Sequence, residues 1–255
     1  MSFVPLLHAI DAKENPMSSQ TEQSVSDLVE AAVRLLAHGS PEDWNRHYRE
    51  KSFQEHFLPR AKDALLFDFD YQNRQVLYQC INGRFIQKEP IDYLEFGVWQ
   101  GVSFSHWLNI NTHASSRFFG FDSFEGLPED WNRGAPKGTF SQKGAVPTIE
   151  DPRATFVKGL FQQSIPPFLD GFAVQNRLVI HFDADLYSST LYTMMALDRF
   201  ITPGTIFLFD EFTAEKYTCE YAALHDYCAA CYRDYKVLCS RKDYVKLAIE
   251  IVVPE

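Results

Sequence analysis

Apolar and polar positions follow two different patterns along the chain, and the change falls near residue 91. Before it, apolar residues recur with helical spacing, which predicts helices over residues 24–37, 41–57 and about 59–82. After it, short apolar runs alternate with helical segments, which is typical of β-α-β units in a doubly wound, mostly parallel sheet. The predicted strands are 91–96, 117–121, 154–157, 177–182, 205–209, 235–239 and 244–253, and the predicted helices 101–111, 189–201 and 215–231. The short connection between the last two strands predicts an antiparallel C-terminal hairpin.

The change of pattern divides the chain into an N-terminal extension, residues 1–90, and a core domain, residues 91–255. Residues 1–22 are polar, which predicts a flexible arm. Ser40 and Pro41 are predicted to be the cap and the first residue of a helix. The helices of the extension would form a lid over the site or a subunit contact in a homo-oligomer, and the sequence leaves both open.

Composition narrows the class of partner. The chain has 24 Lys and Arg against 34 Asp and Glu, a formal net charge of −10, which argues against nucleic acid or an anionic membrane surface as the main partner. No apolar run reaches the length of a membrane span, and the first ten residues lack a signal-type core, so we expect a cytoplasmic protein. Four of the five cysteines fall between Cys219 and Cys239, but without two paired C-x-x-C motifs they are expected to be reduced, packed thiols rather than zinc ligands.

The segment YLEFGVWQGVSFSHW, residues 93–107, predicts a strand, a tight glycine turn and a helix N-terminus. Gly97 and Gly101 would let a flat cofactor lie against bare backbone. The G-x-G-x-x-G fingerprint of dinucleotide sites is absent, and Glu95 would repel a pyrophosphate. A carboxylate there suits a cationic, hydroxyl-bearing ligand such as S-adenosylmethionine (SAM). The alternative is an ordinary strand-to-helix turn whose glycines relieve crowding.

Acidic residues follow three of the predicted strands, at the point where each strand ends. They are Asp122, Asp183, Asp185, Asp210 and Glu211. The carboxyl ends of parallel strands meet at one edge of a sheet, where like charges raise one another's pKa. A bound Mg²⁺, Ca²⁺ or Mn²⁺ would relieve this repulsion, since oxygen ligands suit hard cations.

Each acid also has a structural interpretation. Asp122 could cap a turn, and Glu211 could face solvent. For Asp185, capping of the helix near Ser188 is favoured over metal ligation. His181 lies within a strand, which favours a buried histidine over a catalytic one.

The long segment from Gly126 to Arg153 is rich in glycine and proline and has few apolar residues. Loops of this length in compact domains are usually functional or disordered. This one follows the second predicted strand, so it emerges at the edge of the sheet where ligands bind.

Four segments together resemble one family. YLEFGVWQGVS, FFGFDSFEGLPEDW, FDADLYSST and FLFDEF are similar to the pattern of the macrocin O-methyltransferases, which are class I SAM-dependent enzymes, and the resemblance covers roughly residues 92–212. It implies a Rossmann-like sheet, SAM as methyl donor and a divalent cation, usually Mg²⁺, beside the donor methyl. The implied acceptor is a small molecule with a hydroxyl on a sugar or another part of a natural product. Trp131 and Phe140 in the long loop would close over it.

The resemblance also implies roles for particular residues. The predicted cofactor-binding residues are Glu95, Gly97, Gly101, Ser103, Asp122 and Ser123. Glu95, Gly97 and Gly101 would line the methionine end of SAM, Asp122 would accept hydrogen bonds from the ribose, and Ser123 would lie beside the adenosine.

Asp183, Asp210 and Glu211 would hold the metal, and Asp183 is the predicted catalytic base. The family commonly has two aspartates where this chain has Asp210 and Glu211. The longer glutamate would have to reach the metal differently, so the pattern here departs from the family at a ligand position.

Three alternatives remain open at the level of sequence. One is a metal-independent methyltransferase with Asp183 or His181 as base. Another is a SAM-binding protein without turnover. The third, a nucleotide-sugar or NAD-dependent oxidoreductase, is disfavoured by the missing glycine triplet.

Overall fold

The structure is a computed structural model that describes residues 27, 29–30, 32–34, 38–132 and 134–254. The chain divides into two compact units, residues 1–45 and residues 46–255. In the first unit, the backbone N–H of Asp43 donates to Oγ of Ser40 at 3.2 Å, so Ser40 caps helix α1 (Pro41–Ser52) as predicted. The predicted arm over residues 1–22, and most of the predicted helix over 24–37, lie outside the described residues.

Strands in the second unit form one continuous sheet. Within the described residues they are β1 (Leu65–Phe67), β2 (Ile91–Phe96), β3 (Arg117–Asp122), β4 (Ala154–Lys158), β5 (Arg177–Phe182), β6 (Ile206–Phe209), β7 (Asp234–Arg241) and β8 (Leu247–Val252). Their order is β1-β7-β8-β6-β5-β2-β3-β4. Strand β8 runs antiparallel to β6 and β7, and the other pairs are parallel. The predicted doubly wound, mostly parallel sheet with an antiparallel C-terminal hairpin is confirmed.

Helices cover both faces of this sheet. They are α2 (Gln75–Cys80), α3 (Val102–Ile110), α4 (Phe161–Gly171), α5 (Tyr187–Leu197) and α6 (Glu220–Cys231). Buried side chains of α2 and α3 pack on one face with Tyr93 and Val179, and those of α4, α5 and α6 pack on the other with Leu94 and Ile180. This alternation places successive residues of each strand in opposite cores, as the two-residue period of a strand requires. Among the described helices, none is both long and apolar enough to cross a membrane.

Three predicted elements differ from the structure. The segment predicted as a helix over about 59–82 contains strand β1, which extends the sheet beside β7. Helix α4 escaped prediction because Pro166 and Pro167, which usually interrupt helices, lie inside it. The helix predicted over 215–231 begins only at Glu220, because Glu215 and Lys216 have left-handed backbone angles. The predicted domain boundary after residue 90 stays a prediction, although β1 lies before it.

An aspartate at the amino end of β2 ties three segments of the sheet together. Both oxygens of Asp92 accept hydrogen bonds from the Arg117 guanidinium, at 2.9 and 2.7 Å. The backbone N–H groups of Gln175 and Asn176 donate to Oδ2 at 2.7 and 3.1 Å, and Nδ2 of Asn176 donates to Oδ1 at 2.9 Å. Burial raises the pKa of Asp92, but these hydrogen bonds outweigh burial and hold the pKa below its ordinary value. The side chain is fully buried, and its role is structural: it connects β2 to Arg117 and to the segment before β5.

We expect Asp92→Asn to lower the free energy of unfolding by about 3 kcal/mol at pH 7, because it leaves the partly buried Arg117 without its counter-ion. The folded-state pKa of Asp92 is depressed, so its stabilisation is complete above the unfolded pKa of about 3.9 and is lost as pH falls through the folded value. Urea unfolding should therefore show a gap between wild type and variant that narrows below about pH 4.

Asp68→Asn is the matched control, because Asp68 pairs with Lys242 while its side chain is 80% exposed. Its unfolding curve should overlay that of the wild type. A pH-independent gap for Asp92→Asn would show that its contribution does not come from the charge.

Candidate active site

A large cavity opens at the edge of the sheet where β2, β3, β5 and β6 end, here called the carboxyl edge. Its volume is about 470 Å³, which is within the range of roughly 300–1,000 Å³ typical of small-molecule sites. It is lined by Gln72, Arg74, Gly97, Val98, Trp99, Val102, Asp122, Ser123, Gly126, Leu127, Pro128, Trp131, Phe140, Gly159, Leu160, Phe161, Gln162, Asp183, Ala184, Asp185, Ser189, Asp210 and Glu211. The long loop contributes five of these residues, including Trp131 and Phe140, so it lies over the cavity as its position in the sequence predicts.

Gly97 allows the ends of β2 and β5 to approach each other closely. Its backbone has φ +94°, and a Cβ added there would overlap the carbonyl oxygen of Asp183. The N–H of Gly97 donates to the carbonyl of Phe121, and the N–H of Asp183 donates to that of Phe96, both at 2.9 Å. Glycine is therefore required at this position by space as well as by backbone conformation. It also lines the cavity, where it was predicted.

Asp122 holds the glycine turn in place. Its Oδ2 accepts the backbone N–H groups of Val98 at 2.9 Å and Trp99 at 2.7 Å, and its Oδ1 accepts that of Phe124 at 2.7 Å. A carboxylate has about four acceptor positions, so these bonds leave one of them open. Asp122 and Ser123 both line the cavity, and their contact with a cofactor stays a prediction.

Glu95, Ser103 and Gly101 lie beneath the cavity and are not part of its lining. Glu95 is fully buried and accepts hydrogen bonds from the hydroxyls of Tyr93 and, at 2.7 Å, Ser103. The Nδ1 of His181 lies 3.4 Å from the same carboxylate. This arrangement follows from strand periodicity, because Tyr93 and Glu95 project to the face of β2 that α3 covers.

The second glycine of the motif has a backbone role. Gly101 precedes α3 with φ +78°, and a Cβ there would lie 3.3 Å from Cβ of Pro147 in the long loop. Pro147 and Ile149 of the long loop therefore lie close to Gly101 in this structure. Direct contact of Glu95, Gly101 or Ser103 with a cofactor stays a prediction.

The acids that follow β5 and β6 converge, and two cations lie between and beside them. Nη1 of Arg74 donates to Oδ2 of Asp183 at 3.0 Å and to Oδ2 of Asp210 at 2.7 Å. Nζ of Lys246 donates to the same Asp210 oxygen at 2.6 Å and to the Asp210 carbonyl at 3.1 Å. Neither cation was singled out from the sequence. Arg74 lies in an ordinary polar segment and Lys246 in the predicted strand 244–253, and both are far along the chain from the acids they meet.

Burial and these charges set the protonation of the two carboxyls. Burial and the Asp210 carboxylate raise the pKa of Asp183 to about 6, although Arg74 acts against them. Burial also raises the pKa of Asp210, but Lys246 and Arg74 outweigh it and hold the pKa below its ordinary value. Both groups are therefore mostly ionised at neutral pH.

The predicted metal ligands are only partly brought together. One donor atom each from Asp183, Asp210 and His181 lies within 4.8 Å of the others, so among the described residues His181 joins the cluster where Glu211 was predicted. Glu211 lines the cavity, and burial raises its pKa. Its backbone N–H donates to Oε2 of Glu220 at 3.0 Å. Glu220 is a buried acid that the sequence analysis did not identify.

As arranged here, these residues do not fit a divalent cation. Mg²⁺ requires oxygen ligands at about 2.0–2.1 Å in octahedral geometry. The Asp183 and Asp210 oxygens that face each other are bridged by the Arg74 guanidinium, and Lys246 already binds one of them. A metal between them would have to displace Arg74.

Asp185 was predicted to cap a helix, and that prediction is wrong. The residue preceding α5 is Leu186, and no side chain caps its N-terminus. Asp185 instead has a left-handed backbone, with φ +60°, and its nearly buried carboxyl lines the cavity. Burial, followed by the charges of Asp183 and Asp210, raises its pKa to about 8. A strained non-glycine residue at a cavity wall is typical of functional sites.

Comparisons with known proteins agree with this geometry. A family model described as Macrocin-O-methyltransferase (TylF) matches residues 71–232. A curated relative from Streptomyces olivaceus, 8-demethyl-8-(2,3-dimethoxy-alpha-L-rhamnosyl)-tetracenomycin-C 4'-O-methyltransferase, is 31% identical over 172 residues. The match covers 59% of this chain and 63% of the relative, so the chain spans less than two thirds of that protein's length.

Two solved structures have a similar fold. The calicheamicin methyltransferase CalS11 superposes with a TM-score of 0.56 at 22% identity, over 84% of this chain and 94% of that chain. The O-methyltransferase NovP superposes with a TM-score of 0.52 at 18% identity, over 72% of this chain and 79% of that chain. The predicted Rossmann-like class I methyltransferase fold is confirmed.

We expect Gly97→Ala to distort the carboxyl edge, because the added methyl group must push the Asp183 backbone away from β2. Stability should fall by about 2 kcal/mol or more, as for other side chains forced into left-handed backbone without space. Thermal unfolding would measure the loss of stability, and ligand-binding calorimetry would measure the effect of the distortion on the cavity.

Gly83→Ala is the matched control. An added Cβ at Gly83 meets no atom within 4 Å, so this variant should unfold at or above the wild-type temperature. Equal stability of the two variants would contradict the close approach at Gly97.

Proposed function

The chain belongs to the macrocin O-methyltransferase family, and from that premise we propose that it transfers a methyl group from SAM to a hydroxyl on a sugar or another part of a natural product. The observation that carries the proposal is the cavity at the carboxyl edge. Its lining brings together the glycine turn after β2, Asp122 after β3, and Asp183 and Asp185 after β5. A cofactor on the β2–β3 side would present its methyl group to an acceptor on the β5–β6 side.

The cofactor side suits SAM in its charges and its shape. Gly97 offers bare backbone, and the open acceptor position of Asp122 suits a ribose hydroxyl. Leu160 and Phe161, directly after β4, provide an apolar wall for a purine ring. The predicted cofactor residues Glu95, Gly101 and Ser103 would act from below by fixing the end of β2 and the start of α3.

The acceptor side is acidic, which bears on the class of substrate. Among the described residues that line the cavity, five are carboxylic acids and Arg74 is the one basic side chain. That guanidinium is already held by two carboxylates. Among these lining residues a diphosphate would find no cation that is free of a carboxylate partner, so we infer an acceptor without phosphate, such as a completed glycoside, rather than a nucleotide sugar. The Streptomyces relative is named for a rhamnosyl-tetracenomycin, which is a glycoside.

The proposed chemistry needs alignment and one proton acceptor. The acceptor oxygen attacks the SAM methyl carbon as its proton leaves for a carboxylate; the C–S bond breaks, and S-adenosylhomocysteine (SAH) and the methyl ether are released. Asp183 is the predicted base, but its Oδ2 is engaged by Arg74. The Asp185 carboxyl faces the cavity and receives no hydrogen bond from the described residues. We therefore propose Asp185 as the base. Because its pKa is raised to about 8, the ionised fraction that accepts the proton grows as pH rises to that value, and turnover should rise with it.

The Mg²⁺ implied by the family resemblance stays a prediction. The arrangement of Arg74 and Lys246 favours the metal-independent alternative, and no step of the proposed transfer passes through a metal. A homo-oligomer and a cytoplasmic location likewise stay predictions.

We expect SAH to bind, and at about 100 times its dissociation constant to raise the free energy of unfolding by roughly 2.7 kcal/mol. Calorimetry should show binding of SAH and none of NAD. With SAM present, mass spectrometry should detect methylation of deoxysugar glycosides and none of the matching nucleotide-diphosphate sugars. Binding of NAD instead of SAH would reject the proposal, and SAH binding without transfer to any acceptor would indicate a SAM-binding protein without turnover.

Asp185→Asn should lower kcat by about 100-fold or more, as expected for loss of a general base, and leave the SAH affinity unchanged. Asparagine tolerates left-handed backbone, so the local fold should be retained. Asp170→Asn, at an exposed position on α4, is the control and should be silent. If Asp185→Asn has normal turnover and Asp183→Asn has reduced turnover, Asp183 is the base instead.

A further inference from the structure

The guanidinium of Arg74 lies where a cation would have to lie to bridge the ends of β5 and β6. It contacts one oxygen of Asp183 and one of Asp210 through a single nitrogen, Nη1. Its side chain is 24% exposed and lines the cavity. Its other nitrogens therefore remain able to donate to a ligand in the cavity.

The backbone around Arg74 fixes this position. Arg74 immediately precedes α2, and its carbonyl accepts the N–H of Leu77 at 3.0 Å. Leu77 and Tyr78 are buried in the sheet core, where the Tyr78 ring lies 5.4 Å from that of His181. The packing of α2 in the core therefore fixes the position of the Arg74 guanidinium.

Lys246 completes the charge balance from the opposite side. It is 1% exposed and binds the Asp210 oxygen that Arg74 also binds. The Asp183 and Asp210 carboxylates are thus matched by two basic side chains, Arg74 and Lys246. A divalent cation brought between the two carboxylates would add two positive charges beside Arg74 and Lys246, which opposes its binding.

We propose that Arg74 takes the place of a divalent cation at the carboxyl edge, so that this chain excludes metal from the Asp183–Asp210 pair. This deepens the proposed function and rests on it for the consequence that methyl transfer proceeds without metal. The exclusion of metal itself can be measured without any acceptor.

The test uses the full chain, stripped of metal with EDTA, and Mn²⁺ as the probe. Electron paramagnetic resonance of free Mn²⁺ would follow titrations of wild type, Arg74→Ala, Arg74→Lys, Asp210→Asn and the double variant Arg74→Ala/Asp210→Asn. Arg60→Ala is the matched control, because it also removes an arginine from an aspartate, Asp234, far from the cavity. SAH affinity of every variant checks the fold and tests the proposed function separately.

Wild type, Arg74→Lys and Arg60→Ala should bind Mn²⁺ weakly at most. Arg74→Ala should bind one Mn²⁺ per chain about tenfold more tightly or better, because a repelling charge has gone and the Asp183–Asp210 pair is free. The double variant should lose that site. Retained affinity for SAH throughout would show that the change is local.

Two results would overturn the proposal. One is tight Mn²⁺ binding by the wild type that Asp210→Asn removes, since Arg74 would then be displaced by metal. The other is no gain of Mn²⁺ in Arg74→Ala, since nothing would then compete for the pair. If Arg74→Ala does not fold, Arg74→Gln keeps the size of the side chain without its charge and decides the same point. Failure of all variants to bind SAH would reject the cofactor and leave the Mn²⁺ comparison valid.

Discussion

The repulsion between the Asp183 and Asp210 carboxylates governs the arrangement of the site. They follow neighbouring strands, β5 and β6, whose buried registers pair Phe182 with Phe209 and so fix the two acids side by side. Each is the first residue after its strand, so the register of the two strands places both acids at the carboxyl edge. The structure resolves the repulsion with two side chains from distant segments, Arg74 and Lys246. The position of α2 and the end of β8 are therefore linked to the carboxyl edge through charge.

Two buried aspartates at opposite edges of the sheet differ in the number of hydrogen bonds that they receive. At the amino end of β2, Asp92 receives five donated hydrogen bonds and acts as a joint between segments. At the carboxyl edge, Asp185 receives none from the described residues and faces a cavity. Burial and residue type are similar at the two ends. The number of hydrogen-bond donors around each carboxyl group therefore distinguishes Asp92, which has a structural role, from Asp185, which is available for catalysis.

Local sequence predicted most of the sheet because buried parallel strands are short, nearly continuous apolar runs with defined ends. Strands β2 and β5 coincide with their predicted bounds, and Gly97 lies where the turn was expected. The features that were missed depend on contacts between distant residues. Arg74 meets acids 109 and 136 positions away, and β1 is only three residues long, so neither carries a local signal. Glu95 was predicted to line the cofactor site, but in the structure it is buried on the face of β2 that α3 covers. The two-residue period of a strand could have indicated that face.

The departure from the family pattern at Glu211 agrees with this account of the charges. In the family pattern, a second aspartate after β6 would offer a third carboxylate to a metal held by Asp183 and Asp210. Here the nearby cluster takes His181 as its third member, and burial keeps the pKa of Glu211 raised. Because Arg74 and Lys246 neutralise the two aspartates, Glu211 is not needed as a metal ligand. Its position can then carry a longer side chain at the cavity wall, where it contributes to the acidic surface that faces the acceptor.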